Sequence, residues 1–196
     1  EEPEIVYSPA PHDLDAFLSG PGPFVYDVET DGIEALSCNV RCVGIGNGTG
    51  KIVVVGTRSR STGNNQPRGE DATFYSPAVM AQIKDVLRRF FADPGRLKVG
   101  HNAGYYDRMV IRQWLGVEPE PTLDTILLHR LAASELPHSL GYVGSEYTDV
   151  HSWKADRQGR KLAVDAETDR ELHHYCGIDV AVTAACVEPL VRDVKI

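Results

Sequence analysis

A chain of 196 residues, 42% of them hydrophobic, is long enough for one domain with a substantial core. A formal net charge of −8 excludes a protein held to nucleic acid mainly by bulk positive charge. It leaves room for an enzyme whose carboxylates meet phosphate through divalent cations, and no apolar run is long enough to cross a bilayer.

The elements follow in order. A short apolar start at Ile5 to Tyr7 precedes a small helix over 13–18, and SGPGP at 19–23 punctuates the chain. FVYDVET at 24–30 predicts a strand. VRCVGIG (40–46) and KIVVVG (51–56) flank NGTG, which predicts a hairpin. The glycine-dense GIGNGTGK at 44–51 lacks the phosphate-loop pattern and sits at the hairpin turn. Residues 57–76, rich in Arg, Ser, Gly and Asn, read as a long surface loop. Pro77 opens a helix over 77–91 with Val79, Ile83, Val86, Leu87 and Phe90 on one side. LKVG at 97–100 predicts a short buried strand. Helices follow over 105–115, ended by Gly116, and over 123–133; residues 145–166 are polar and irregular, and a final helix spans 169–193. Three antiparallel strands followed by helices interleaved with short strands, expected to be parallel, imply an α/β fold. It is a mixed sheet flanked by helices, of the ribonuclease-H-like layout.

Four cysteines, Cys38, Cys42, Cys176 and Cys186, have no zinc-site spacing and are too few for a disulfide scaffold. They read as free thiols of a reducing compartment, the cytoplasm of a bacterial or phage-infected cell. The sequence opens on Glu1 rather than Met, so we expect a single domain cut from a longer polypeptide. The basic residues cluster at Arg88, Arg89, Arg96 and Lys98, at Arg108 and Arg112, and at Lys154, Arg157, Arg160 and Lys161. Solvated helix faces and loops are the bland reading of such clusters, and the favoured one for the first. His101, His129, His138 and His151 show no ligand spacing. Trp153 is either a stacking platform for single-stranded DNA or an incidental loop residue.

The acidic residues are more informative. Asp27 and Glu29 stand two apart on one strand, so their side chains share a face. Two adjacent carboxylates repel, and a divalent cation relieves that repulsion. Surface decoration is the alternative for such a pair, but the surrounding apolar strand weighs against it. In VGHNAGYYDR at 99–108 a buried strand leads into a helix carrying Asp107. Asp107 there is either a favourable first-turn charge or a metal ligand, and Asn102 either a cap or a contact. In HHYCGIDVAVT at 173–183, Tyr175 and Asp179 are one helical turn apart. Phosphodiester hydrolysis needs an activated water and charge neutralisation, which two divalent ions about 3.5–4 Å apart supply. Oxygen ligands from several elements favour two Mg²⁺ or Mn²⁺ ions over zinc.

These motifs resemble the tyrosine branch of the DEDD 3'–5' exonucleases, and most closely the proofreading domain of phage-type family-A DNA polymerases. YDVETDG (26–32), KVGHNAGYYD (98–107) with LDT (123–125), and Y-x3-D (175–179) occur in order, and LPHSL (136–140) and EYTDVHSWK (146–154) add to the likeness. The resemblance covers roughly 24–190. It implies that Asp27 bridges both metals, that Glu29 and Tyr175 orient the attacking water, that Asp179 ligates the first metal and Asp107 the second. Thr30, Ile33 and Asn102 would touch the terminal nucleotide, Ile33 pressing on the last base, and Asp124 would support the site. The gap from Asn102 to Asp107 is one residue longer than in some family members. His174 stands where the histidine-containing branch has its general base. Adjacent helical residues diverge by about 100°, so His174 and Tyr175 cannot serve one water, and the flanking YCGIDVAVT favours Tyr175.

The expected activity is hydrolysis of terminal phosphodiesters of single-stranded DNA, releasing nucleoside monophosphates. The expected partner is a polymerase domain in the same or an associated chain. An exoribonuclease of the same superfamily is the first alternative, and a catalytically silent end-binding domain the second.

Overall fold

The computed structural model describes residues 3–58, 74–150 and 169–195. The expectations for Trp153, His151, the basic run from Lys154 to Lys161, and most of the 57–76 loop lie outside them. Six strands form one sheet in the order β1-β4-β3-β2-β5-β6. β2 (Phe24–Thr30), β3 (Val40–Gly46) and β4 (Lys51–Gly56) are the expected antiparallel set. β5 (Lys98–Gly100) and β6 (Thr122–Asp124) join β2 in parallel, and β1 (Glu4–Tyr7) lies parallel to β4 at the far edge. Among the described residues the mixed sheet is flanked by helices, as expected.

Alternation along β2 separates the two faces. Phe24, Tyr26 and Val28 pack with α1 (Pro11–Leu18), α2 (Pro77–Ala92) and α3 (Tyr106–Leu115) in the larger core. Val25 turns the other way, toward Leu172, Cys176 and Val180 of the long α6 (Asp169–Val194). Asp27 and Glu29 share the Val25 side. α6 lies unusually close to the sheet because β3 has glycines beneath it. A Cβ on Gly44 would stand 2.9 Å from the Cys176 sulfur, and one on Gly46 2.9 Å from a Val180 methyl. A small third core joins α6 to α4 (Thr125–Ala132) and α5 (Leu140–Tyr147) through Leu128, Leu140, Val143, Val182, Cys186 and Leu190.

Two elements differ from expectation. Residues 122–124 pair with β5 before α4 begins, so the helix starts at Thr125 rather than 123; a three-residue strand owes its geometry to its neighbour. α5 was hidden by Gly141 and Gly144, poor helix formers. Ser139 caps it and Leu140 and Val143 bury against α6. Lys98 is no solvated cation. It is fully buried, and its ammonium donates to the carbonyls of Asp93 and Glu120 at 2.5 and 2.9 Å.

Candidate active site

The C-terminal end of β2 is where strand geometry becomes irregular. Glu29 pairs with Cys42 but Thr30 pairs with Val40, leaving Arg41 as an extra residue on β3. Such a bulge re-aims side chains at a sheet end. Arg41 is 5% exposed, and its guanidinium donates to Asp169 in the first turn of α6 at 2.9 Å. The bulge therefore ties down the start of the helix that carries Asp179.

With α6 fixed in this way, Asp27, Glu29 and Asp179 converge. A ligand oxygen from each lies within 4.8 Å of the other two, although 150 residues separate Glu29 from Asp179. Asp179 is buried, while Asp27 and Glu29 are half-buried. Asp107 enters from α3. Burial, with Glu29 and then Asp124 beside it, raises its carboxyl well above the usual carboxylate range. The donor set is hard oxygen throughout, which fits Mg²⁺ or Mn²⁺.

Asp124 is a brace for this cluster. Its carboxylate accepts from the amides of Asn102 at 2.8 Å and Gly104 at 2.9 Å, and from Ile126 at 3.1 Å as the N-cap of α4. The turn it holds carries Asn102 at φ 62°, exposed and ahead of Asp107. Left-handed backbone is a conformation that Asn tolerates well. His101, set aside for lack of ligand spacing, spans the same turn: one ring nitrogen meets Thr125 Oγ1 and the other the His138 carbonyl, both at 2.9 Å. His138 meets buried His129 at 2.7 Å, and His129 meets Glu146 at 3.1 Å. These histidines stitch α4, α5 and the turn together.

Thr30 closes β2, and Ile33 follows three residues on. Thr30 Oγ1 lies 2.7 Å from the Tyr106 hydroxyl, which donates to the Gly32 carbonyl at 2.7 Å. Ile33 follows, 89% exposed. Tyr175 is half-buried one turn before Asp179 on α6. His174 is exposed and turned elsewhere. Its Nδ1 lies 3.3 Å from the Tyr7 hydroxyl on β1, and it lines a separate cavity of about 1100 Å³ with Lys51 and Ile178. β1 is the edge strand, three places from β2 in the sheet.

Sequence reasoning missed Tyr106, Arg41 and Asp169. A lone Arg inside the apolar VRCVGIG signals a buried ion pair, and Tyr106 adjoins Asp107 within the second motif.

The family described as 3'-5' exonuclease matches residues 10–195. The chain belongs to that family. It is thus a 3'–5' exonuclease of the DEDD superfamily, whose members use divalent metals. Similar solved structures include Brucella melitensis NrnC with bound Mg²⁺, 19% identical over 98% of this chain and 82% of that one, with a TM-score of 0.69. Escherichia coli RNase D is 16% identical over all of this chain but 46% of its own length, with a TM-score of 0.68. Trypanosoma brucei RNase D in complex with RNA U12 is 14% identical over 97% and 63%, with a TM-score of 0.68. At these identities the likeness concerns the fold of the exonuclease. The expected proofreading-domain likeness is not what these structures represent. No curated protein matches the sequence.

Proposed function

We propose that this exonuclease removes nucleotides one at a time from single-stranded 3' ends, those of RNA foremost, in the tyrosine-branch manner. The convergence of Asp27, Glu29 and Asp179 within 4.8 Å carries the reading. These three carboxylates would hold one divalent ion. Asp27 would be shared with a second that Asp107 serves from α3. When bound, the ions lower the pKa of water and neutralise charge on the reacting phosphate.

The chain's own residues do the rest. Tyr175, on the α6 face of Asp179, orients the attacking water together with Glu29. Thr30 and Asn102 hold the terminal nucleotide, and Ile33 presses on its base. Water bonds to phosphorus, the bond to the upstream 3'-oxygen breaks, and a nucleoside 5'-monophosphate leaves. A strand with a free 3'-hydroxyl remains.

RNA is favoured because the similar NrnC has been solved bound to pGG and a similar RNase D with RNA U12. The polymerase-like motifs support a second reading, a DNA-proofreading domain working with a polymerase in the same or an associated chain. Matched 5'-labelled single-stranded RNA and DNA, incubated with Mg²⁺ or Mn²⁺, test both. A ladder shortening from the 3' end, faster on RNA, is expected. Faster DNA degradation favours proofreading. No cleavage of either, with end binding unchanged in Asp27→Ala, favours a silent end-binding domain and ends the enzymatic reading.

A further inference from the structure

A side chain that meets its substrate from a turn is only as well placed as the turn itself. Asn102 lies in the turn between β5 and α3, at φ 62°. Asp124 takes its amide and that of Gly104, which fixes the backbone from one side. Packing inside the turn is tight, since a Cβ on Gly100 would collide with Ala103. The ring of His101 fixes the other side, and the direction of each of its hydrogen bonds follows from the groups it meets. The His138 carbonyl only accepts, so Nε2 of His101 carries a proton. In the neutral ring Nδ1 then accepts, and the hydroxyl of buried Thr125 donates to it. One edge of the ring is thus held by the first residue of α4, and the other by the loop between α4 and α5.

That loop is itself pinned through the side chain of His138. Its Nδ1 stands 2.7 Å from Nδ1 of His129, which is fully buried. On the far side of His129, the Glu146 carboxylate accepts the Nε2 proton at 3.1 Å. Two Nδ1 atoms that face each other share one proton, and with His129 neutral it belongs to His138. His138 therefore donates to His129, and His129 to Glu146. Breaking this chain would leave polar groups unsatisfied around a ring that water does not reach. The metal ligands are seated independently of it. Asp27 and Glu29 belong to β2 and Asp179 to α6, and α3, which carries Asp107, is anchored by Val110, Ile111 and Leu115 in the larger core.

We propose that His101 is a positioning residue that sets Asn102 against the terminal nucleotide, with His138, His129 and Glu146 as its anchor; this rests on the exonuclease reading of the site. Loosening the chain acts on strand binding, so KM rises while kcat changes little.

Steady-state cleavage of a 5'-labelled single-stranded RNA in Mn²⁺ separates the two constants. His101→Ala loses the bonds to Thr125 and His138 and should raise KM roughly five- to 30-fold, about 1–2 kcal/mol, with kcat within about threefold. Asn102→Gly keeps the left-handed backbone and deletes only the side chain. It should raise KM as well, and adding His101→Ala to it should change KM by less than about twofold, because the ring then has nothing to position. His129→Leu should raise KM in the same direction, and His129→Gln, whose amide both donates and accepts, should restore it. Imidazole nitrogen NMR spectra of the wild type at neutral pH should place the proton on Nε2 of His101 and His129 and on Nδ1 of His138; any other pattern overturns the anchor. If the wild type cleaves but His101→Ala keeps KM within about twofold, or its effect multiplies in full with that of Asn102→Gly, the positioning role is overturned and the exonuclease reading stands. Where His101→Ala does not fold, equal KM values for the two His129 variants overturn the role. A wild type that cleaves neither RNA nor DNA overturns both.

Discussion

Asp179→Asn removes one of three negative charges from the cluster beside β2. The oxygens of Asp27, Glu29 and Asp179 lie within 4.8 Å of one another, and at an effective dielectric constant of about 20 each ionised pair at that distance repels by roughly 3.5 kcal/mol. The substitution deletes two of the three pairs. Asp27 and Glu29 are half-buried, so water screens them and they can move apart; a net gain of about 1–2 kcal/mol is expected without metal. For a chain of this length about 1 kcal/mol moves the melting temperature by roughly 2–4 °C. In chelator, Asp179→Asn should therefore melt about 2–8 °C above wild type. In Mn²⁺ the order inverts. The wild type keeps its full ligand set and gains about 2.7 kcal/mol at a metal concentration a hundred times Kd, while the variant gains little. Circular-dichroism melts in chelator, Mg²⁺ and Mn²⁺ read both effects, and Asp27→Asn, at a more exposed corner, should shift in the same direction. A variant that melts below wild type in chelator, with a wild type whose melting temperature neither cation moves, refutes the argument that these charges are arranged for a cation.

Tyr175→Phe should lower the hydrolysis rate by roughly a hundredfold, in the range of a lost proton-handling group, whereas His174→Ala should stay within about twofold because its ring pairs with Tyr7 on the far edge strand. Steady-state rates in Mn²⁺ decide this, and the reverse pattern moves the protein to the histidine branch. Arg41→Ala leaves Asp169 without its buried partner and should destabilise by about 3 kcal/mol, read from urea midpoints; an effect below about 0.5 kcal/mol would show that the pair does not anchor α6. Burial lowers the pKa of His173 below its ordinary value near 6.5. The unfolded chain then takes up a proton first, so stability falls as pH drops below about 6.5 toward the lower native value. His173→Phe should flatten that fall in denaturation midpoints measured from pH 5 to 8; an unchanged slope would rule His173 out as its source.

The sequence by itself determined the strands and helices that carry the chemistry. The period of two in FVYDVET placed Asp27 and Glu29 on one face, and the turn chemistry of NGTG set the β3–β4 hairpin. The four-residue spacing put Tyr175 and Asp179 on one side of α6. These features are local, fixed by backbone geometry over a few residues, and so can be read from the residues alone. The exonuclease family was indicated by a resemblance, the order of motifs spread from Tyr26 to Asp179.

Other features depend on contacts between distant segments. β6 is a strand only because β5 lies beside it, and α5 is a helix only because α6 covers Leu140 and Val143. Lys98 is buried because carbonyls of Asp93 and Glu120 close around its ammonium. The approach of Asp179 to Asp27 requires Gly44 and Gly46 under α6 and the Arg41–Asp169 pair at its start. Local sequence sets which way a side chain leaves its own strand or helix. The separation between two elements is set by the side chains packed between them, and that is why the distances within the carboxylate cluster, unlike its membership, are decided only in the folded chain.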